Sequence, residues 1–201
     1  IPHGSGNTGK ISDYLVDFAN RHDLRCRQDE SGNVIIWKDG TGVCAQSEPV
    51  ILQGHMDMVC EKEPSCTLNM EQDGLQLKLE DGIISAEGTT LGGDDGIAVA
   101  YCLALLADPD IEHPPLECVF TVDEEIGMLG AAALDCTDLQ GKKMLNMDSE
   151  EEGIFLVSCA GGATVTITLP VSQRIQKKGK IYGIHIRGLQ GGHSGTEIDK
   201  G

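Results

Sequence analysis

The sequence predicts an α/β fold. Three apolar runs of strand length suit strands buried on both faces: residues 49–54 (PVILQG), 116–122 (LECVFTV) and 143–147 (KMLNM). Helical stretches separate them, a strongly apolar one at 96–107 and a short one at 127–134. Buried strands alternating with helices are the pattern of a sheet with helices packed on it.

The elements follow in order. Residues 9–21 place Ile11, Leu15, Phe18 and Ala19 on one helical face, with Ser, Thr and Asn cap candidates just upstream. Residues 24–38 read as a hairpin that turns at Ser31-Gly32-Asn33 and returns through Val34-Ile35-Ile36-Trp37. The run 49–54 ends at glycine. Residues 60–88 are polar with weak alternation, which suits a loop and a hairpin. The helix at 96–107 is followed by Pro109, and the strand at 116–122 by the short helix. Residues 143–147 form a third buried strand and 154–158 a fourth. After Gly161-Gly162 the pattern changes: 164–169 and 180–187 alternate cleanly around a basic turn, Lys177-Lys178-Gly179-Lys180. Clean alternation marks an antiparallel sheet with one wet face. A domain boundary is therefore expected near Gly161, giving 1–161 and 162–201. There is no internal repeat.

Composition narrows the function. With 201 residues, 40% of them hydrophobic, the chain can build a core. Lys and Arg number 15 against 32 Asp and Glu, a net charge of −17. Nucleic-acid surfaces need clustered cations, so this balance argues against one. No apolar run approaches the roughly 20 residues of a membrane span, and no signal peptide opens the chain. Glycine (26 residues) with few aromatics (3%) suits tight turns around a site better than a stacking surface. The eight cysteines include no C-x-x-C pair, which removes zinc ribbons and thioredoxin-like motifs. Cys102 and Cys118 lie in apolar runs and read as small buried hydrophobes. Reduced thiols and a cytoplasmic location are expected. The chain lacks an initiator Met, and Thr196 to Gly201 read as the start of an element, so a fragment of a longer protein is expected.

Three motifs fail. Gly4-Ser5-Gly6-Asn7-Thr8-Gly9-Lys10 resembles a phosphate-binding loop, but Ile11 stands where Ser or Thr must follow the lysine, and no strand precedes it. It reads as a glycine-rich helix entry. Gly192-His193-Ser194-Gly195 is one residue short of a serine-hydrolase elbow. Leu91-Gly92-Gly93-Asp94-Asp95-Gly96 is a single copy of what a calcium-binding repeat needs in series.

Four clusters remain: His55-Met56-Asp57, Asp94-Asp95, Asp123-Glu124-Glu125 and Asp148. Three follow buried strands and one opens a helix. Ligands of α/β sheets bind at the carboxyl ends of the strands, so clusters distant in sequence can converge there. Taken singly, each has a bland explanation: a surface pair, a helix cap, a solvated turn, an acidic run. Together they suit a metal centre. Imidazole with carboxylates suits zinc or manganese, and carboxylates in close array repel unless a cation lies between them. Two metals roughly 3.5–4 Å apart polarise a carbonyl and activate water, and a carboxylate off the metals serves as base.

The order G-H-M-D, G-G-D-D-G, D-E-E-I-G, N-M-D-S-E-E-E and G-G-H-S-G resembles the M20 metallopeptidases, in particular their aminoacyl-histidine dipeptidase branch. The resemblance runs from Pro2 to the end of the chain. It implies a mixed, mostly parallel sheet flanked by helices in a zinc-peptidase-like catalytic domain (1–161). The start of an α+β lid or dimerisation domain (162–201) would follow. It implies hydrolysis of dipeptides such as Xaa-His, two divalent ions (zinc, with manganese or cobalt as alternatives) and a homodimer. His55 and Asp148 would bind the first ion, and Asp94 would bridge both across a cis peptide to Asp95. Glu125 would bind the second, Asp57 would orient His55, Glu124 would be the general base, and His193 would bind substrate. The family's last histidine ligand comes from a C-terminal part without a counterpart here. The 201-residue piece is therefore expected to be inactive and to bind at most one metal tightly. Two alternatives stay open. One is another M20 amidohydrolase, an aminoacylase or tripeptidase. The other is a non-catalytic metal-binding protein, against which the intact Glu124 speaks.

Overall fold

The computed structural model describes residues 1–149, 151–159, 165–170, 179–180 and 182–188. The chain divides into two units, Ile1–Ile154 and Phe155–Gly201.

In the first unit, helix α1 (Gly9–Arg21) buries Ile11, Leu15, Phe18 and Ala19, the predicted face. It ends in a Schellman arrangement. The Leu24 N–H reaches the Ala19 carbonyl, the Asp23 N–H reaches Asn20, and Asp23 takes a left-handed φ of 54°. Strands β1 (Arg25–Gln28) and β2 (Val34–Lys38) form the predicted hairpin. Asp29 organises its turn by accepting the N–H groups of Ser31 and Asn33. Next come β3 (Val50–His55), the small hairpin β4 (Leu77–Glu80) and β5 (Ile83–Ala86), and helix α2 (Gly93–Ala107). Strand β6 (Leu116–Thr121), helix α3 (Leu129–Ala133) and strand β7 (Lys143–Asn146) complete the unit.

Among the described residues the main sheet has five strands, ordered β1-β2-β6-β3-β7. β2 pairs antiparallel with β1 and β6, whereas β3 pairs parallel with β6 and β7. Four strands therefore share one direction and β2 alone is reversed: the sheet is mixed and mostly parallel. Alternate residues of the central strands face two cores. Val34, Ile36, Leu52, Cys118 and Phe120 pack with α1 and α2 residues on one face, and Ile35, Ile51 and Val119 pack on the other. Burial on both faces explains why these strands read as unbroken apolar runs.

The outer parts depart from expectation. β7 forms, but as an exposed edge: Met144 and Leu145 are 59% and 50% accessible. Its composition is that of a covered strand, yet no described element lies over it. Residues 154–158 form no strand, and Phe155 and Val157 are almost fully exposed. In the predicted strands 164–169 and 180–187, Thr164 and Ile181 lie outside the described residues. The described remainder belongs to no strand, and Val165, Ile167, Ile184 and Ile186 are exposed. Alternation prescribes a strand only where a neighbour completes its ladder, and no such neighbour is present among the described residues.

Two close packings place the rim of the sheet. The buried Glu117 carboxylate on β6 accepts the N–H groups of Gln140 and Gly141, fixing the entry to β7. Gly54 on β3 lies under the start of α2, where an added Cβ would stand 2.5 Å from the Ala98 Cβ and 2.7 Å from Asp95 Oδ2. Gly54→Ala is therefore expected to destabilise the fold by about 1–3 kcal/mol, the usual cost of overpacking. Denaturant unfolding with an unchanged slope and a lowered midpoint checks this.

Candidate metal centre

β6, β3 and β7 are adjacent and parallel, so their carboxyl ends share one rim. His55 is the last residue of β3 and Asp57 follows two residues later. Asp123, Glu124 and Glu125 follow β6, and Asp148 follows β7. Asp94 and Asp95 sit at the mouth of α2, in non-helical conformation and joined by a cis peptide, so regular helix begins at Gly96.

His55 is buried, and its two ring nitrogens face different partners. Nδ1 lies 3.0 Å from the Asp57 carbonyl and 3.3 Å from Asp57 Oδ1. Both are acceptors, so Nδ1 carries a proton. Nε2 points the other way, 3.0 Å from Asp94 Oδ1. Burial alone would lower the His55 pKa, but the hydrogen bond and charge of Asp57, with Asp94 and Asp95, push it up to about 10.

Asp57 is equally buried. Its Oδ1 accepts the Glu124 N–H (3.0 Å), and its Oδ2 accepts the Glu125 N–H (3.3 Å) and the Ser5 hydroxyl (2.8 Å). Burial would raise its pKa, yet His55, the Glu124 amide and Ser5 hold it at about 2. Asp95 turns inward, and its Oδ2 accepts the His55 N–H at 3.3 Å. Burial, set against the nearby His55, leaves its pKa raised to about 7, with Asp148 and Asp94 adding to the rise.

The other acids feel one another. Burial raises the Glu124 pKa, and the charges of Asp148, Asp57 and Asp94 raise it further against the pull of His55. Burial and Asp94 raise that of Glu125. Ligand atoms of His55, Asp94 and Asp148 all lie within 4.8 Å of one another. Donors on one zinc at ~2.0–2.2 Å stand ~3.3 Å apart in tetrahedral geometry, so this trio fits a single cation after small side-chain shifts. The pairing on Nδ1 leaves Nε2 as the nitrogen to give it. Glu124 and Glu125 belong to the same rim but not to that trio. His193 lies outside the described residues. A pocket of about 790 Å³ opens beside Glu125, walled by residues 4–7 and 58–61.

Reading the sequence missed two contributors. Helix capping or bridging accounts for the Asp94-Asp95 pair in the sequence, and nothing in the doubled acid says that one faces out and one in. Ser5 lies in the glycine-rich helix entry, whose sequence carries no sign of the bond to Asp57.

A mixed α/β sheet with an imidazole and several carboxylates on its carboxyl rim is the framework of a metallopeptidase catalytic domain. The chain belongs to the peptidase family M20/M25/M40, whose family model matches residues 51–193. It is 38% identical, over its whole length, to 42% of the cytosol non-specific dipeptidase of Escherichia coli. A crystal structure of aminoacylhistidine dipeptidase from Vibrio alginolyticus matches 76% of this chain and 31% of its own, at 41% identity and a TM-score of 0.73. A tripeptidase from Staphylococcus aureus matches 75% of this chain and 40% of its own, at 25% identity and a TM-score of 0.62. The chain thus spans less than half the length of these relatives.

If the trio takes a cation, zinc present at 100 times its dissociation constant raises folding stability by about 2.7 kcal/mol. Thermal unfolding with zinc and with chelator is expected to show that difference in wild type and to lose it in Asp94→Asn.

Proposed function

We propose that the protein carrying this chain is a metal-dependent dipeptidase acting on dipeptides such as Xaa-His. The observation that carries this reading is the convergence of His55, Asp94 and Asp148 beside a Glu124 whose backbone is held by Asp57. The names of the E. coli and Vibrio relatives support the substrate class.

In this reading His55, Asp94 and Asp148 would hold the first divalent ion. Asp94 and Glu125 would contribute to a second. Zinc suits the donor set, and manganese or cobalt are admitted by it. The ions, when bound, polarise the scissile carbonyl and make water acidic enough to yield a nucleophile at neutral pH. Glu124 takes the proton from the attacking water and passes it to the departing amine as the C–N bond breaks. Its raised pKa suits a group that must both accept and release a proton. Asp57 keeps the His55 ring in its ligating tautomer. His193, in a lid or dimerisation domain that begins near residue 162, binds substrate and steadies the developing oxyanion. The whole protein is proposed to be a cytosolic homodimer.

The test is metal analysis of the whole protein, followed by a panel of dipeptides, tripeptides and N-acyl amino acids. Two metals per chain with preference for dipeptides supports the reading. Preference for tripeptides or N-acyl amino acids moves the protein to another amidohydrolase activity of its family. Glu124→Gln is expected to lower kcat by about 10²–10⁴-fold with metal content unchanged. Equal turnover in that variant removes Glu124 from the mechanism.

A further inference from the structure

The glycine-rich segment at the start of the chain is neither a phosphate loop nor only a helix entry. It is fastened to two of the segments that carry the rim, those after β3 and β6. The Met58 N–H donates to the His3 carbonyl, the Ser5 N–H to the Met58 carbonyl, and the Gly6 N–H to Asp123 Oδ1 at 2.7 Å. Within this bracket the Ser5 hydroxyl donates to Asp57 Oδ2 at 2.8 Å, the shortest of the described hydrogen bonds that this carboxylate accepts. We propose that Ser5 is a positioning residue of the metal centre: its hydroxyl sets the Asp57 carboxylate, and through it the His55 ring and the Glu124–Glu125 peptide.

The geometry makes the hydroxyl specific to this task. Oδ1 of Asp57 serves His55 and the Glu124 amide. Among the described residues, Oδ2 accepts from the Ser5 hydroxyl and, at longer range, from the Glu125 amide. Without the hydroxyl, Oδ2 keeps one donor at 3.3 Å, and rotation of the carboxylate towards it draws Oδ1 away from the imidazole. The main-chain bonds of Ser5 and Gly6 do not use the hydroxyl, so the segment itself remains in place in Ser5→Ala. Ser5 touches neither the cation-binding atoms nor a reacting group. Its hydroxyl acts on the centre through Asp57.

This inference rests on the dipeptidase reading for its kinetic arm but not for its spectroscopic one. In the whole protein, Ser5→Ala is expected to lower kcat for a dipeptide about tenfold, with KM little changed, the low end of what outer partners of metal ligands cost. The visible spectrum of the cobalt-loaded variant is expected to shift, and Ser5→Thr, which keeps the hydroxyl, to recover both rate and spectrum. A Ser5→Ala protein with wild-type kcat and cobalt spectrum overturns the proposal. So does a loss that Ser5→Thr fails to restore. Cobalt binding in wild type without dipeptide turnover overturns the dipeptidase reading instead and leaves the spectral comparison to decide on Ser5.

Discussion

The rim is organised around one buried anion, the carboxylate of Asp57. A carboxylate taken out of water costs several kcal/mol unless its lone pairs are used. Here they are used four times: by the His55 ring, two successive backbone amides and a serine hydroxyl. Each donor comes with a segment attached. The imidazole ends β3, the amides belong to the loop after β6, and the hydroxyl belongs to the segment before α1. Satisfying one charge therefore fixes three pieces of chain that share no sequence proximity. Because the amides are those of Glu124 and Glu125, the same charge sets where both acidic side chains start.

Strand direction does the rest. A loop that leaves the carboxyl end of a parallel strand stands beside the loops of its neighbours. β3, at the centre of the trio β6-β3-β7, contributes the histidine, and its flanks contribute acids. Gln53 ties the outer flank to the centre: its carbonyl accepts the Met147 N–H and its side chain meets Asn146. Asp148 lies one residue beyond that attachment, which is how an exposed edge strand still delivers a carboxylate to the cluster.

Much of this was legible in the sequence, for a physical reason. The central strands are buried on both faces, so their apolar runs are continuous and their ends abrupt. His55 and Asp148 stand just after such runs and Asp94 opens an apolar helix, so they point to a site when the clusters are taken together. Less legible were features that depend on partners. The runs at 143–147 and 154–158 have the composition of covered strands, yet composition cannot supply the cover, and here β7 is an edge and 154–158 is irregular. Ser5 was illegible for a related reason: its partner is 52 residues away. A serine between glycines gives no local sign of what its hydroxyl will meet.

The paired acids at the mouth of α2 show how finely the arrangement divides labour. Asp94 and Asp95 are chemically identical neighbours, yet the chain turns them in opposite senses. Asp95 is 1% exposed and holds the backbone of His55. Asp94 has a side chain 47% exposed and faces the imidazole Nε2. Burial works against a charged His55; Asp57, on the Nδ1 side, does most to raise its pKa, and Asp94 and Asp95 add to the rise. A divalent ion held by His55, Asp94 and Asp148 would place two positive charges among carboxylates that otherwise repel one another. Asp94 thus contributes both to the base strength of His55 and to the group that would retain a metal. Asp57 keeps Nδ1 protonated in either case, so the ring needs no change of tautomer to pass from one to the other.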